Sequence, residues 1–171
     1  MTDKERKYYR NKYRHVNLWF GHGRGWDELT LSAAMILDSH WPNMPFWLKH
    51  LWSRLISRGY YYTKVGVILH KLIGDKLDPP SYKFSQIKEK FGSLCLYCFS
   101  TPSSIRILED ASHLTCEECG SSKDIGNTSG WIKTLCKECA KEDSSWKPIQ
   151  VVSTGNYTRI MERQKKYETY S

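Results

Sequence analysis

The sequence predicts an α+β fold: a helical N-terminal body with a small β-hairpin and a four-cysteine module. Apolar residues recur at helical spacing in three segments before residue 75. Around Phe91-Gly-Ser93 the pattern shifts to flanking runs of aromatic and aliphatic residues, which predicts a hairpin. Further on, Cys116-Glu-Glu-Cys119 and Cys136-Lys-Glu-Cys139 stand sixteen residues apart. That spacing lets four sulfurs close on one ion and predicts a zinc-ribbon-like module.

In chain order, Asn17 to Trp26 is a glycine-punctuated turn that feeds a first helix. Asp27 is its predicted N-cap, and Trp26, Leu29, Ala33, Ile36 and Leu37 form its stripe. A second helix follows Pro45, with Leu48, Leu51, Trp52, Leu55 and Ile56 as its buried stripe and Gly59 as its end. Val65, Ile68, Leu69, Leu72 and Ile73 repeat the pattern up to Gly74. Asp78-Pro-Pro-Ser81 then breaks the chain, and strands are predicted over Tyr82 to Glu89 and Leu94 to Phe99. Ser103 or Ser104 caps a helix presenting Ile105, Leu108 and Ala111. After the cysteines, Ile149 to Val152 reads as a strand, Thr154-Gly-Asn156 as a turn, and Tyr157 to Tyr170 as an amphipathic helix. The resulting organisation is a basic segment with its turn over 1–25, a helical body with the hairpin over 26–112, the ribbon over 113–141 and an extension over 142–171.

The chain has 171 residues, 40% of them hydrophobic, which supplies a core and excludes a largely disordered chain. No apolar run approaches the roughly 20 residues of a membrane span, and Met1 to Lys7 lacks a signal peptide's apolar stretch. A cytoplasmic protein without membrane contact is the expectation. Its formal charge is +8, and residues 1–25 alone carry +5. Lys4, Arg6, Lys7, Arg10, Lys12 and Arg14 are interleaved with Tyr8, Tyr9 and Tyr13. Such a mixture attracts phosphates and offers stacking faces for unpaired bases, so this segment and Arg24 are the candidate nucleic-acid contacts. A first helix whose tyrosines pack on the body explains the same residues.

Cysteines kept reduced in a cytoplasm favour metal over disulfide, and Cys116, Cys119, Cys136 and Cys139 are the candidate zinc ligands. Gly120 permits the knuckle to turn. Four thiolates leave zinc no open position, so the ion is expected to hold the fold rather than activate water. Thiolates and ion together carry −2, and the ordinary charges of 113–141 cancel. The ribbon is therefore not expected to bind nucleic acid by itself. Cys95 and Cys98 also have Cys-x-x-Cys spacing, but in a strand they point to opposite faces and cannot share an ion.

Gly21-His-Gly-Arg-Gly25 before a helix can cradle an anion or form a tight turn locked by Trp19 and Trp26. Trp41, Trp47 and Trp52 near Pro42 and Pro45 form an aromatic cluster, either core or protein-binding surface. None of the six histidines lies between the cysteine pairs, and Asp38 with His40 suggests a surface contact rather than a catalytic pair.

Three segments together resemble a family of small, uncharacterised bacteriophage and prophage proteins. They are the turn Gly23-Arg-Gly-Trp-Asp-Glu-Leu29, the hairpin Gln86-Ile-Lys-Glu-Lys-Phe-Gly-Ser-Leu94 with Tyr97, and the pairs Thr115-Cys-Glu-Glu-Cys-Gly120 and Gly130-Trp-Ile-Lys-Thr-Leu-Cys136 with Cys139. The resemblance covers residues 23–139 and implies a phage protein acting inside a bacterial host, with no activity attached. The family usually has an acidic residue at the place of Arg24 and an arginine at the place of Cys95. This chain adds material at about 41–75 and at both termini.

Together these features predict a noncatalytic, zinc-binding viral protein in the cytoplasm of the host bacterial cell. Its partners are host machinery or nucleic acid, DNA or RNA, engaged through the basic N-terminal segment, and no small-molecule substrate is expected. An adaptor or inhibitor directed at host transcription or a defence enzyme is the alternative, and a zinc-framed nuclease the third reading.

Overall fold

The computed structural model describes residues 1–41, 43, 45–57, 82–141, 143–149, 151–154 and 157–160. Helices fill the described chain up to Ser57 and small antiparallel sheets dominate after it, the segregation of an α+β fold. The helix predicted over Val65 to Gly74 lies outside the described residues, as does Gly59.

Helix α1 spans Asp3–Lys12 and opens with a capping box: Thr2 accepts the Glu5 N–H, and the Glu5 carboxylate accepts the Thr2 N–H. The basic segment is thus a first helix, and Tyr13, Val16 and Leu18 after it enter the core with Tyr9 packed alongside. Helix α2 spans Asp27–Ser39 and buries Ala33, Ala34 and Leu37 behind Trp26. Asp27 is its first residue rather than its cap. The carboxylate is 1% exposed and receives the Arg6 guanidinium at 2.6–3.0 Å.

Helix α3 spans Phe46–Ser57 and starts after Pro45, whose carbonyl accepts the Leu48 and Lys49 N–H groups. Of the apolar stripe expected from sequence, Leu48 is half-buried and Leu51 is exposed, while the side chains of Trp52, Leu55 and Ile56 lie outside those described. Leu51 is 48% exposed, whereas Lys49 is buried with its ammonium 2.5 Å from Asp38 Oδ1. The same oxygen receives His15 Nε2 at 2.6 Å, and His15 is enclosed edge-on by Trp41, Phe46 and His50. Breaking this pair by removing either partner would leave a buried charge uncompensated, so Lys49 holds an inward place that its residue type rarely takes. His40 does not pair with Asp38; it bonds the Ile36 carbonyl and stacks on Tyr82.

Strands β1 (Phe84–Lys90) and β2 (Ser93–Cys98) form the predicted hairpin, with Ile87 opposite Leu96 and Lys90 opposite Ser93. Phe84, Ile87, Leu94 and Leu96 line its buried face, where β2 packs on α4 (Ser103–Ser112) and α4 in turn packs on α2. Pro102 precedes α4 and no side chain caps it. Strands β3 (Ile125–Asn127), β4 (Thr134–Cys136) and β5 (Lys147–Pro148) form a second sheet in the order β4-β3-β5, followed in the chain after β4 by the one-turn helix α5 (Lys137–Ala140). The sequence gives little sign of β5, which is anchored by Trp146 donating to the Leu135 carbonyl at 3.0 Å.

At the C-terminal end, β6 (Val151–Thr154) and β7 (Tyr157–Ile160) pair antiparallel. The predicted helix therefore does not begin at Tyr157. Val151, Val152, Thr154, Tyr157, Thr158 and Ile160 are β-branched or aromatic, and that strand propensity wins over the helical spacing.

Candidate metal centre

The two cysteine pairs come from unlike local structures. Cys116 and Cys119 sit on a turn closed by the Gly120 N–H on the Cys116 carbonyl at 2.9 Å, and Gly120 has φ +78°. That left-handed conformation is nearly free for glycine and costly for other residues. Cys136 ends β4 and caps α5, so Cys139, one turn later, returns its sulfur to the same point. The Cys139 N–H donates to Cys136 Sγ at 3.4 Å. Ile125, Leu135 and Ala140 pack around the cluster.

All four sulfurs lie within 4.8 Å of one another, and Cys119 Sγ to Cys136 Sγ is 3.7 Å. A tetrahedron with zinc–thiolate arms of about 2.3 Å has edges of about 3.8 Å. A disulfide would bring two sulfurs to about 2.05 Å, and all six cysteines are free. The donor set therefore fits one tetrahedral metal ion. Burial pulls the Cys116 thiol up, but the backbone N–H groups of Cys119, Cys136 and Glu118 outweigh it and hold the thiol below its usual range. Cys139 lies far above that range, through burial and its sulfur neighbours. A bound cation relieves that crowding by replacing protons with one shared positive charge.

Among the described residues this is the one group with the makings of a metal site. Cys98 packs on the core opposite Phe84, whereas Cys95 stands opposite Lys88 on the other face of the hairpin. Burial pushes the Cys98 thiol up to about 11 and raises Cys95 as well. Both behave as inert small side chains.

The glycine turn and the hairpin tip both meet the centre. The Gly25 N–H donates to the Glu117 carbonyl at 2.8 Å, and the Trp26 indole donates to the Thr115 carbonyl at 2.8 Å. A Cβ on Gly25 would stand 1.9 Å from the Cys116 carbonyl oxygen, and one on Gly23 would stand 2.1 Å from that of Glu117. Gly23 and Gly25 are thus small because the first knuckle lies against them, and the segment is a packed turn with its Gly25 amide already committed. From the other side, the Thr134 hydroxyl donates to the Gly92 carbonyl at 2.6 Å while accepting from Asn127 Nδ2 at 3.1 Å. The glycine turn, the hairpin tip and the two cysteine pairs are therefore one contiguous structure. Sequence reading missed this contact, although paired glycines before Trp26 were its visible trace.

The candidate nucleic-acid contacts divide into two groups. Arg6 is locked onto Asp27, and Arg24 pairs with Asp3 at 2.9 Å. Lys4, Lys7, Arg10 and Arg14 are exposed, with Arg10 above the Trp19 ring and Lys12 above Tyr13. No protein-family model, curated protein or solved structure matches the chain. No helix among the described residues is long and apolar enough to cross a membrane.

Proposed function

We propose that this is a noncatalytic phage protein whose four cysteines hold a structural zinc ion and whose cationic surface binds nucleic acid inside the host bacterium. The near-tetrahedral sulfur cluster, packed between the glycine turn and the hairpin tip, carries the zinc assignment. Four thiolates saturate zinc, so the ion organises the surface rather than reacting with a substrate. The exposed cations of α1 and the +8 net charge support the nucleic-acid partner. The likeness to small phage and prophage proteins supports the setting.

Purified protein should contain one zinc per chain by elemental analysis and retard a labelled oligonucleotide at low salt. A Cys116→Ser/Cys136→Ser variant that still carries one zinc per chain would overturn the ligand assignment. No retardation of any oligonucleotide by the intact protein would overturn the partner. A second reading, an adaptor that binds a host protein, is favoured by an exposed apolar patch: Phe91 is 69% exposed, Trp131 74%, and Ile132 lies beside the hairpin tip at Gly92.

A further inference from the structure

The hairpin buries one face and leaves the other uncovered by described residues, and that open face repeats one chemical unit three times. Lys83 Nζ lies 5.5 Å from the centre of the Phe99 ring, Lys88 Nζ 5.0 Å from that of Tyr97, and Lys90 Nζ 5.4 Å from that of Phe91. Phe91, Tyr97 and Phe99 are all exposed. Tyr97 and Phe99, two residues apart in extended chain, sit about 6.8 Å apart along it, with room for a flat ring on each. None of the three lysines pairs with a carboxylate in any ion pair among the described residues. The nearby acids are engaged elsewhere: Glu89 accepts the Gly92 N–H at 2.8 Å and Glu109 the Leu96 N–H at 2.7 Å.

At the Phe99 end this face runs into a cleft of about 930 Å³. Lys83, Arg14, Arg54, His50, Trp47 and Phe99 line it, and none of the described lining residues is a carboxylate. Trp47 is 67% exposed, a large ring left at the mouth of a cationic cleft.

The turn supplies an independent observation. Phe91 has φ +51° and Gly92 φ +69°, so both central residues of the two-residue turn are left-handed. Asn-Gly or Asp-Gly suits this geometry, and a phenylalanine in it is strained. Its ring recovers little by burial, being mostly in solvent. Strain retained for an exposed aromatic ring points to a use for that ring.

We propose that the open hairpin face and the adjoining cleft form a binding track for single-stranded nucleic acid, with the lysines and arginines on phosphates and Phe91, Tyr97, Phe99 and Trp47 stacking on bases. This deepens the proposed function, and rests on it, by moving the binding surface from the N-terminal helix to the hairpin. Flat rings between unpaired cations suit unstacked bases on a flexible strand, whereas a duplex hides its base faces. An acidic protein surface would meet the cations but leave the aromatic repeat without a role.

The test is fluorescence-anisotropy titration of the zinc-loaded full chain with labelled single-stranded and duplex oligonucleotides of mixed sequence. Tyr97→Ala and Phe99→Ala should each weaken single-strand binding roughly fivefold to a hundredfold. With Arg14, Arg54, Lys83, Lys88 and Lys90 all on phosphates, the slope of log K against log salt should be about −3.5 and lose about 0.7 per cation removed. A Lys4→Ala/Lys7→Ala variant should weaken single-strand binding less than either Tyr97→Ala or Phe99→Ala does. Phe91→Asn gives the sharpest contrast: it should raise the melting temperature by a few degrees, by relieving the turn, while weakening binding. If the Lys4/Lys7 variant loses binding and the hairpin variants keep it, the track is overturned and the proposed function stands. Tighter binding to duplex than to single strand also overturns the track. If the intact protein binds no oligonucleotide, both fall, and retention of the protein by an acidic polypeptide would identify the alternative class of partner.

Discussion

The knuckle and the buried network around His15 are both polar centres inside the fold, yet they are built in opposite ways. In the knuckle, four like side chains converge through local turns, each pair separated by two residues. Around His15, three unlike groups, His15, Asp38 and Lys49, arrive from three separate elements. Local construction leaves a spacing in the sequence that chemistry explains, whereas convergence of distant residues leaves none. The first centre crowds four thiols that a shared cation would serve, while the second sets the Lys49 ammonium against the Asp38 carboxylate.

The largest expected effect falls on the knuckle. Structural zinc in small modules contributes on the order of 10 kcal/mol or more to folding. Cys136→Ser, or prolonged chelation, should therefore melt the β3-β4-β5 sheet while leaving α2 and its core helical. Hydrogen exchange resolved by segment checks this, and uniform loss of protection would show that the two regions do not fold separately.

Next comes Arg6→Ala, which takes the guanidinium from the buried Asp27 carboxylate and leaves it the Met1 ammonium at 3.2 Å. It should cost about 1–3 kcal/mol in urea denaturation, whereas exposed Lys7→Ala should change stability by less than about 0.5 kcal/mol. Equal effects of the two would show that the Arg6–Asp27 pair contributes no more than a surface charge.

The network around His15 should appear as acid sensitivity. Burial pulls the His15 imidazole down to about 4 despite its bond to Asp38. An unfolded histidine protonates near pH 6.5, so the unfolded state gains protons first as pH falls. Stability should be complete above pH 6.5 and decline between pH 6.5 and 4 by an amount on the order of 3 kcal/mol. Burial also pulls the Asp38 carboxyl up, but Lys49 and His15 more than offset it, so its protonation extends the loss to still lower pH. The decline in urea midpoint across this range should shrink in His15→Gln, leaving the share due to His22 and His50, which burial also pulls down.

The smallest effect tests the join between the regions. Gly25→Ala forces a methyl against the Cys116 carbonyl and should cost about 1–3 kcal/mol, with faster zinc loss to a chelator. An unchanged zinc off-rate would show that the glycine turn does not brace the knuckle.

This contrast also explains what was legible in the sequence. Cys116, Cys119, Cys136 and Cys139 could be assigned from spacing, and the hairpin from Phe91-Gly92 between alternating residues, because both obey short-range geometry. The inward face of α3 could not, because apolar Leu51 yields its place to Lys49 only in answer to Asp38. The pairings of Arg6 with Asp27 and of Arg24 with Asp3 were hidden in the same way, since each partner lies 21 residues away. The lysine–aromatic repeat was present as letters, but only strand register puts Lys88 beside Tyr97.

The indole of Trp26 bonds a carbonyl 89 residues further along the chain, and Thr134 reaches back 42 residues to the hairpin tip. Contacts of such span form late in folding. On the ribosome, the Trp26 indole and the Gly25 amide have no partners until Thr115 and Glu117 emerge, so the seam between the early helices and the first cysteine pair is among the last to close.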